Sequence, residues 1–545
     1  MSNIHSIQQE AELHHSNWQQ PSEGVVIACH TDSHTDYAAA GRIGIDGPLP
    51  TKSTIFEIGS ISKVFTSILL AEAVREKRAD FADPVSTHLA ELPLKKHSPL
   101  HTITLTELAT HTSGLPRLPM DLTQGLDKEN PYRHYDEQRL QQSLLLLRKK
   151  HLEGVGEYCY SNYGVGILGY VIAQAYGVSF RDLLKEKILD PLAMTSTDVP
   201  LRFADLPEAI LNRLATPHFA GTAVKHWELS SLAGAGGMIS SAEDLIRFGR
   251  AHWDEKTPRG LAASLAEVAK LRMKNQGLGW ALDGEVLNHD GGTGGFRTSL
   301  EVSPGVKKIR VFLANSAGVS DEPSVEGDFL SVAGYWSGDL VEGDEKLRFV
   351  SYIAPTGRML AYSIDQNYRA IVSANSRLHN NRFHFSFPSS SAIYEGEVVN
   401  QELHGTLTQG IRKSVVQTVQ MKYSRQMPDI LHNGLKKTMR GDLAGLHGYW
   451  WGYLGGQKGL LVYIKVVGIG ELTVLEFYSP DQMNEAIEVH SASLVSRKFK
   501  FHSDLVGGTY IGWLAKDGQC IRGFWRQVMP MPLKLYFSEE KPSRD

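Results

Sequence analysis

Hydrophobic positions along the chain follow two regimes. Before about residue 325, strand-length apolar runs stand at both ends and helix-length runs lie between them. Gly24-Val25-Val26-Ile27-Ala28-Cys29 reads as a strand, with a second near Ala38 to Gly44. Val302 and then Ile309-Arg310-Val311-Phe312-Leu313-Ala314 read as a closing pair, separated by Ser303-Pro304-Gly305. The stretches from Ser60 to Arg75 and from Gly164 to Ala175 read as helices.

Beyond about residue 325, short alternating runs separated by Gly and Asn turns take over, and the sequence repeats itself. Gly334-Tyr335-Trp336-Ser337-Gly338-Asp339-Leu340 answers Gly448-Tyr449-Trp450-Trp451-Gly452-Tyr453-Leu454. Phe383-His384-Phe385 answers Phe499-Lys500-Phe501, Tyr394-Glu395-Gly396 answers Tyr510-Ile511-Gly512, and Gly405 to Gln409 answers Gly523 to Gln527. The offset stays near about 115 residues, far beyond solenoid periods, so this region is two copies of one small domain. Period-two alternation with regular turns predicts antiparallel barrels. Trp336, Trp450 and Trp451 are expected in barrel cores rather than in a ligand cage.

Composition narrows the classes. At roughly 150 residues per domain, 545 residues correspond to about three or four domains. A hydrophobic content of 42%, a charged content of 21% and a formal charge of −4 describe a globular chain with no nucleic-acid footprint. No stretch approaches the roughly 18 apolar residues of a membrane span, and no membrane partner is expected. Met1 to Glu10 has neither a basic start nor an apolar core, so it does not read as a secretory signal. Cys29, Cys159 and Cys520 are odd in number and scattered, which fits reduced thiols and a cytoplasmic address. His14-His15 and the other histidines lack metal-ligand spacing; no metal or cofactor is expected.

The candidate chemistry begins at Gly59-Ser60-Ile61-Ser62-Lys63. On a helix, residues three apart share a face, so the Lys63 amine can reach the Ser60 hydroxyl. A serine becomes a nucleophile when a nearby base takes its proton, and a lysine serves once desolvation keeps it neutral. The apolar run from Val64 onward supplies that desolvating wall. The same spacing recurs at Ser538-Glu539-Glu540-Lys541, with no apolar helix behind it, and is read there as noise.

Two further motifs follow in order: Tyr160-Ser161-Asn162, and His289-Asp290-Gly291-Gly292-Thr293-Gly294-Gly295-Phe296. With Thr104 to Pro116 and Gly236 to Leu245, they resemble the serine β-lactamase and penicillin-binding-protein superfamily over roughly residues 20 to 320. His432-Asn433-Gly434 also fits the third motif but lacks the glycine-rich tail. That tail has no following Lys-Ser and is not a phosphate loop.

The resemblance implies an α+β fold: an antiparallel sheet flanked by helices with a helical subdomain, at residues 20–325, followed by lipocalin-like barrels at 334–425 and 444–538. It implies that Ser60 is acylated, that Lys63 removes its proton, and that Tyr160 relays the proton as phenolate or through a shared hydrogen bond. It further implies that Asn162 contacts the substrate amide or Lys63, and that the Ser60 and Gly292 N–H groups hold the oxyanion, glycine at 292 permitting close approach. His289 and Asp290 depart from the family's usual lysine and threonine. A histidine is a weaker carboxylate anchor at pH 7, and Asp290 repels a carboxylate if it faces the site. Two barrels resemble the architecture of D-aminopeptidases, where an acid on a barrel loop holds the substrate amine; Asp481 is the candidate here. The expected activity is therefore D-aminopeptidase or D-amino-acid amidase, on a small-molecule or peptide substrate, with a homodimer possible. The alternatives are a thioesterase or acyltransferase for nonribosomal peptides, an esterase or weak β-lactamase, and an inactive ligand-binding sensor.

Overall fold

The computed structural model describes residues 7–16, 23–32, 34–122, 127, 129–152, 154–219, 221–273, 275–317, 324–342, 345–365, 369–373, 375–387, 392–409, 415–454, 460–469, 472–479, 483–487, 489–503, 506, 508–526 and 530–542. Its contacts divide the chain into two units, Met1–Ala317 and Gly318–Asp545.

The first unit is built on a six-stranded sheet in the order His34–Gly41, Gly24–Thr31, Lys308–Ala314, Arg297–Ser303, Val286–Gly292, Ala281–Asp283. All its neighbours are antiparallel. The two apolar runs expected at the ends of this region pair with each other, from Val25 opposite Ala314 to Thr31 opposite Lys308. Both are buried on two faces, which is why they read as continuous apolar runs rather than alternating ones. On strand Lys308–Ala314, Arg310 and Phe312 meet Glu10 and His14 of helix Ile7–Ser16, while Ile309 packs against Gly249 of helix Ala242–Arg250. Period-two geometry puts these partners on opposite faces, so helices cover the sheet on both sides.

Helix Ser62–Arg75 runs through the core of this unit, and every residue from Ser62 to Ala73 is buried. Its polar residues are enclosed too, Ser62, Lys63 and Thr66 donating to the carbonyls of Gly59, Ala235 and Gly234. It begins two residues later than expected. Gly59, at φ +50°, turns the chain into a single 3₁₀ turn, Gly59–Ile61, and places Ser60 before the α-helix. A second buried helix, Asn162–Tyr176, is capped by the Ser161 hydroxyl on the Gly164 N–H and ends at Gly177 in the left-handed region.

The second unit holds two sheets of ten strands each among the described residues, and their strand orders match element for element. The first runs Ser324–Glu326, Asn375–His379, Arg382–Phe387, Ala392–Val399, Glu402–Gln409, Val415–Ser424, Gly334–Glu342, Glu345–Ile353, Met359–Ser363, Arg369–Val372. The second repeats this from Met439–Gly441 to Met483–Ile487. Each curls around its own aromatic core. Each edge strand, Ser324–Glu326 or Met439–Gly441, joins its sheet in parallel, while the rest of each sheet is antiparallel.

The repeat is visible atom for atom. Trp336 Nε1 donates to the Val332 carbonyl at 2.9 Å, and Trp450 Nε1 to Leu446 at 2.7 Å. Gly396 pairs with Gly405, and Gly512 with Gly523. Trp336 and Trp450 are each 2% exposed. Trp451 departs from the expectation: consecutive strand residues face opposite ways, and it lies half-buried on the other face beside Tyr453 and Tyr536. Between the two sheets, Tyr335, Leu360 and Tyr362 pack with Leu431 of helix Asp429–Thr438 and with Ile469, Leu472 and Val474.

Candidate active site

The site is built where three backbone segments touch. Ile58 donates its N–H to the Met238 carbonyl, and Ser62 Oγ donates to the Gly59 carbonyl at 2.7 Å while accepting the Met238 N–H at 3.1 Å. The Thr298 hydroxyl donates to the Ile58 carbonyl at 3.0 Å. These bonds lock the turn carrying Ser60 to strand Ile239–Ser241 and to the edge of the sheet.

Contact at that edge is tight. A Cβ on Gly59 would lie 2.6 Å from Gly292 N, and one on Gly291 would lie 2.0 Å from the Ile58 carbonyl oxygen. At Gly292 it would meet only the Phe296 oxygen, at 3.7 Å. The close approach expected at Gly292 therefore belongs to Gly59 and Gly291, because it is their faces that point at the neighbouring backbone. The rest of the glycine-rich tail is also packing: a Cβ on Gly294 would lie 2.5 Å from Trp227 Nε1, and one on Gly295 2.3 Å from Pro217.

Ser60 is half-buried, and Lys63, one turn away, is 0% exposed. Lys63 Nζ lies 2.9 Å from Ser60 Oγ and donates to the Ala235 carbonyl at 2.5 Å. Burial, reinforced by the Arg117 charge, holds the amine well below the usual lysine range. A neutral amine that donates to Ala235 keeps its lone pair for the Ser60 O–H.

Tyr160 closes the other side. Its ring centre is 4.8 Å from Lys63 Nζ, and its hydroxyl lies close enough to Ser60 for that side chain to favour the phenolate. Burial pushes its ionisation up to about 12, against the pull of Arg117 and of Ser60. At neutral pH it is therefore a phenol rather than the phenolate, one of the two forms expected.

The remaining candidates are placed less directly. Asn162 opens helix Asn162–Tyr176, and its Oδ1 is buried without a partner among the described residues. His289 is half-buried, and its Nδ1 lies 2.6 Å from the Asp290 carbonyl oxygen. Asp290 is exposed, and its charge reaches Tyr160. Asp481 lies outside the described residues.

Three participants were missed by the motifs. The Ala235 carbonyl is a backbone group and leaves no sequence signal. His111, within the family-like stretch but given no role, sits at φ +61° with its ring centre 4.4 Å from that of Tyr160. Its Nδ1 accepts the Ser161 N–H at 3.1 Å, and burial keeps it neutral. Arg117, one residue past that stretch, lies 5.1 Å from the centre of the Tyr160 ring.

A half-buried serine and tyrosine set around a fully buried lysine define a site for nucleophilic acyl transfer. A beta-lactamase family profile matches residues 10–331. The chain belongs to the beta-lactamase family, whose members are serine hydrolases working through an acyl-enzyme. It is 26% identical over 278 residues to a beta-lactamase of Yersinia enterocolitica, a match spanning 49% of this chain and 66% of that protein. It is 26% identical over 346 residues to penicillin-binding protein 4 of Amycolatopsis lactamdurans, spanning 55% and 85%. Among solved structures, a beta-lactamase from Sulfitobacter sp. EE-36 is similar at 22% identity and a TM-score of 0.48, covering 57% of this chain and 93% of that one.

Proposed function

We propose that the protein hydrolyses an amide or ester through an acyl-Ser60 intermediate, with D-aminopeptidase or D-amino-acid amidase specificity. The observation that carries the reading is the fully buried Lys63 amine 2.9 Å from the Ser60 hydroxyl. Ser60 Oγ attacks the carbonyl as its proton passes to Lys63, and Tyr160, a phenol at neutral pH, hands a proton to the leaving group. In deacylation water attacks and the path reverses. The Ser60 and Gly292 N–H groups are assigned to the oxyanion and Asn162 to the substrate amide.

The specificity rests on the third motif, where His289 and the exposed Asp290 disfavour a carboxylate at the cleavage site. The names of the relatives favour a second reading, recognition of penicillins or of cell-wall peptides. The two curled sheets are read as lipocalin-like barrels of one duplicated accessory domain.

A fluorophosphonate probe followed by peptide mass mapping should find its adduct on Ser60, and Ser60→Ala should abolish it. D-aminoacyl p-nitroanilides should be turned over and the cephalosporin nitrocefin should not. The reverse pattern would replace the first reading with the second.

Tyr160→Phe separates the two proton steps. An amide leaving group must be protonated as it departs, so amide kcat/KM should fall by about 10²–10⁴-fold. p-Nitrophenolate leaves without a proton, and acylation by its acetate ester should fall only about tenfold or less. Equal losses on both substrates, in stopped-flow acylation assays, would instead make Tyr160 the base that activates Ser60.

A further inference from the structure

The basic groups around Tyr160 differ in how they carry charge. Burial pushes Lys63 and His111 toward their neutral forms. Arg117 cannot be neutralised in that way, because a guanidinium stays protonated in proteins. Its side chain is half-buried, and its guanidinium carbon lies 5.1 Å from the Tyr160 ring centre, with Lys63 Nζ 4.8 Å from the same point. The Arg117 carbonyl accepts the Tyr163 N–H at 3.1 Å, which ties its loop to the first turn of the helix carrying Asn162. Arg133, on the nearby loop, spends its charge on Glu228 at 3.3 Å. Arg117 has no carboxylate within ion-pair distance among the described residues.

Resting on the reading of Ser60 as nucleophile, we propose that Arg117 is the charge-setting residue of the site. It is a permanent cation held over Tyr160 that adds to burial in disfavouring the Lys63 ammonium and stabilises the negative charge on the Tyr160 oxygen as the proton passes. Arg117 acts through these two groups and is a positioning residue. The other titratable groups facing Tyr160 are His111 and Tyr158, which are uncharged at neutral pH, and Asp290, an exposed anion that opposes Arg117. His289 faces His111.

The sign follows from the charges. Lys63 must be neutral to accept the Ser60 proton, so acylation rises with pH through the Lys63 titration. A neighbouring cation disfavours the ammonium form, and removing it moves that titration up. Both groups lie close to one ring centre, hence within about 10 Å of each other. At that separation one charge shifts the titration by about 0.3 to 1 pH unit.

The test uses the full chain and p-nitrophenyl acetate, a neutral ester with no anion to be anchored. In Arg117→Gln the acid limb of kcat/KM should move to higher pH by that amount, and in Arg117→Lys it should stay near the wild-type position. Following the Lys63 side chain by NMR with labelled lysine reads the same shift without turnover, so loss of Ser60 chemistry and loss of this charge effect are told apart. An unmoved limb and titration in Arg117→Gln overturns the proposal, as does an equal shift in Arg117→Lys. An effect confined to esters carrying a carboxylate, with the limb unmoved, makes Arg117 a substrate anchor instead.

Discussion

Lys63→Met should leave a folded protein that no longer acylates. Methionine fills nearly the same channel, so packing along helix Ser62–Arg75 is kept while the base is lost. Removal of a general base that activates the nucleophile lowers kcat/KM by about 10³-fold or more, measurable from the p-nitrophenolate burst. Stability carries an independent signature. The native amine titrates well below its unfolded value near 10.4, so between those two values the unfolded chain binds the extra proton. Unfolding then becomes harder as pH rises, by up to about 1.4 kcal/mol per unit for this one group. The penalty is fully present below the native value and vanishes above about pH 10.4. The thioether that replaces the amine does not titrate, so the wild-type stability minus that of Lys63→Met should climb from the native value up to about pH 10.4 in urea melts. The Ala235 carbonyl loses its donor in the variant, a pH-independent cost of about 1–3 kcal/mol that offsets the curve without tilting it. A flat difference would mean that Lys63 is charged in the native state and cannot be the base.

How much of this was legible depends on what each feature needs. The strands Gly24–Thr31 and Lys308–Ala314 were visible because burial on two faces demands unbroken apolar runs. The duplication was visible because Trp336 and Trp450, Phe383 and Phe499, and Gly405 and Gly523 occupy equivalent places in two sheets of one strand order. Ser60, Lys63 and Tyr160 were visible because side-chain chemistry requires those residue types, and the structure brings them within contact of one another. What escaped depends on backbone and on distance in sequence. The donor and acceptor pattern around Ser60 uses carbonyls of Gly59 and Ala235, groups that every residue owns. Arg117 is 57 residues from Ser60 along the chain, and only the fold shows its guanidinium set beside Tyr160. Strand polarity was misjudged at Trp451 because two adjacent tryptophans look like one apolar cluster, whereas a pleated strand must send them to opposite faces.

Gly291 and Gly292 look interchangeable in sequence, and substituting alanine at each should separate them sharply. At Gly291 the new methyl falls 2.0 Å from the Ile58 carbonyl oxygen and 2.3 Å from Thr298 Oγ1. Neither can be avoided by a side-chain rotation alone, since the first is backbone and the second is the hydroxyl that bonds it. The strand edge must move away from the turn that presents Ser60, at a cost of about 2–4 kcal/mol. The same displacement carries Gly292 N away from Gly59, so acylation of Ser60 should fall by about a hundredfold in the folded fraction, as loss of one oxyanion donor does. At Gly292 the methyl meets only the Phe296 oxygen at ordinary contact distance. Its N–H is untouched, so stability should change by no more than about 0.5 kcal/mol and activity by a few-fold. Urea melts paired with fluorophosphonate labelling rates measure both quantities on both variants. Parallel losses at the two positions would show that side-chain space, rather than the register between Gly59 and the strand, governs this edge. A stable Gly291→Ala with full labelling would detach the oxyanion assignment from Gly292 altogether.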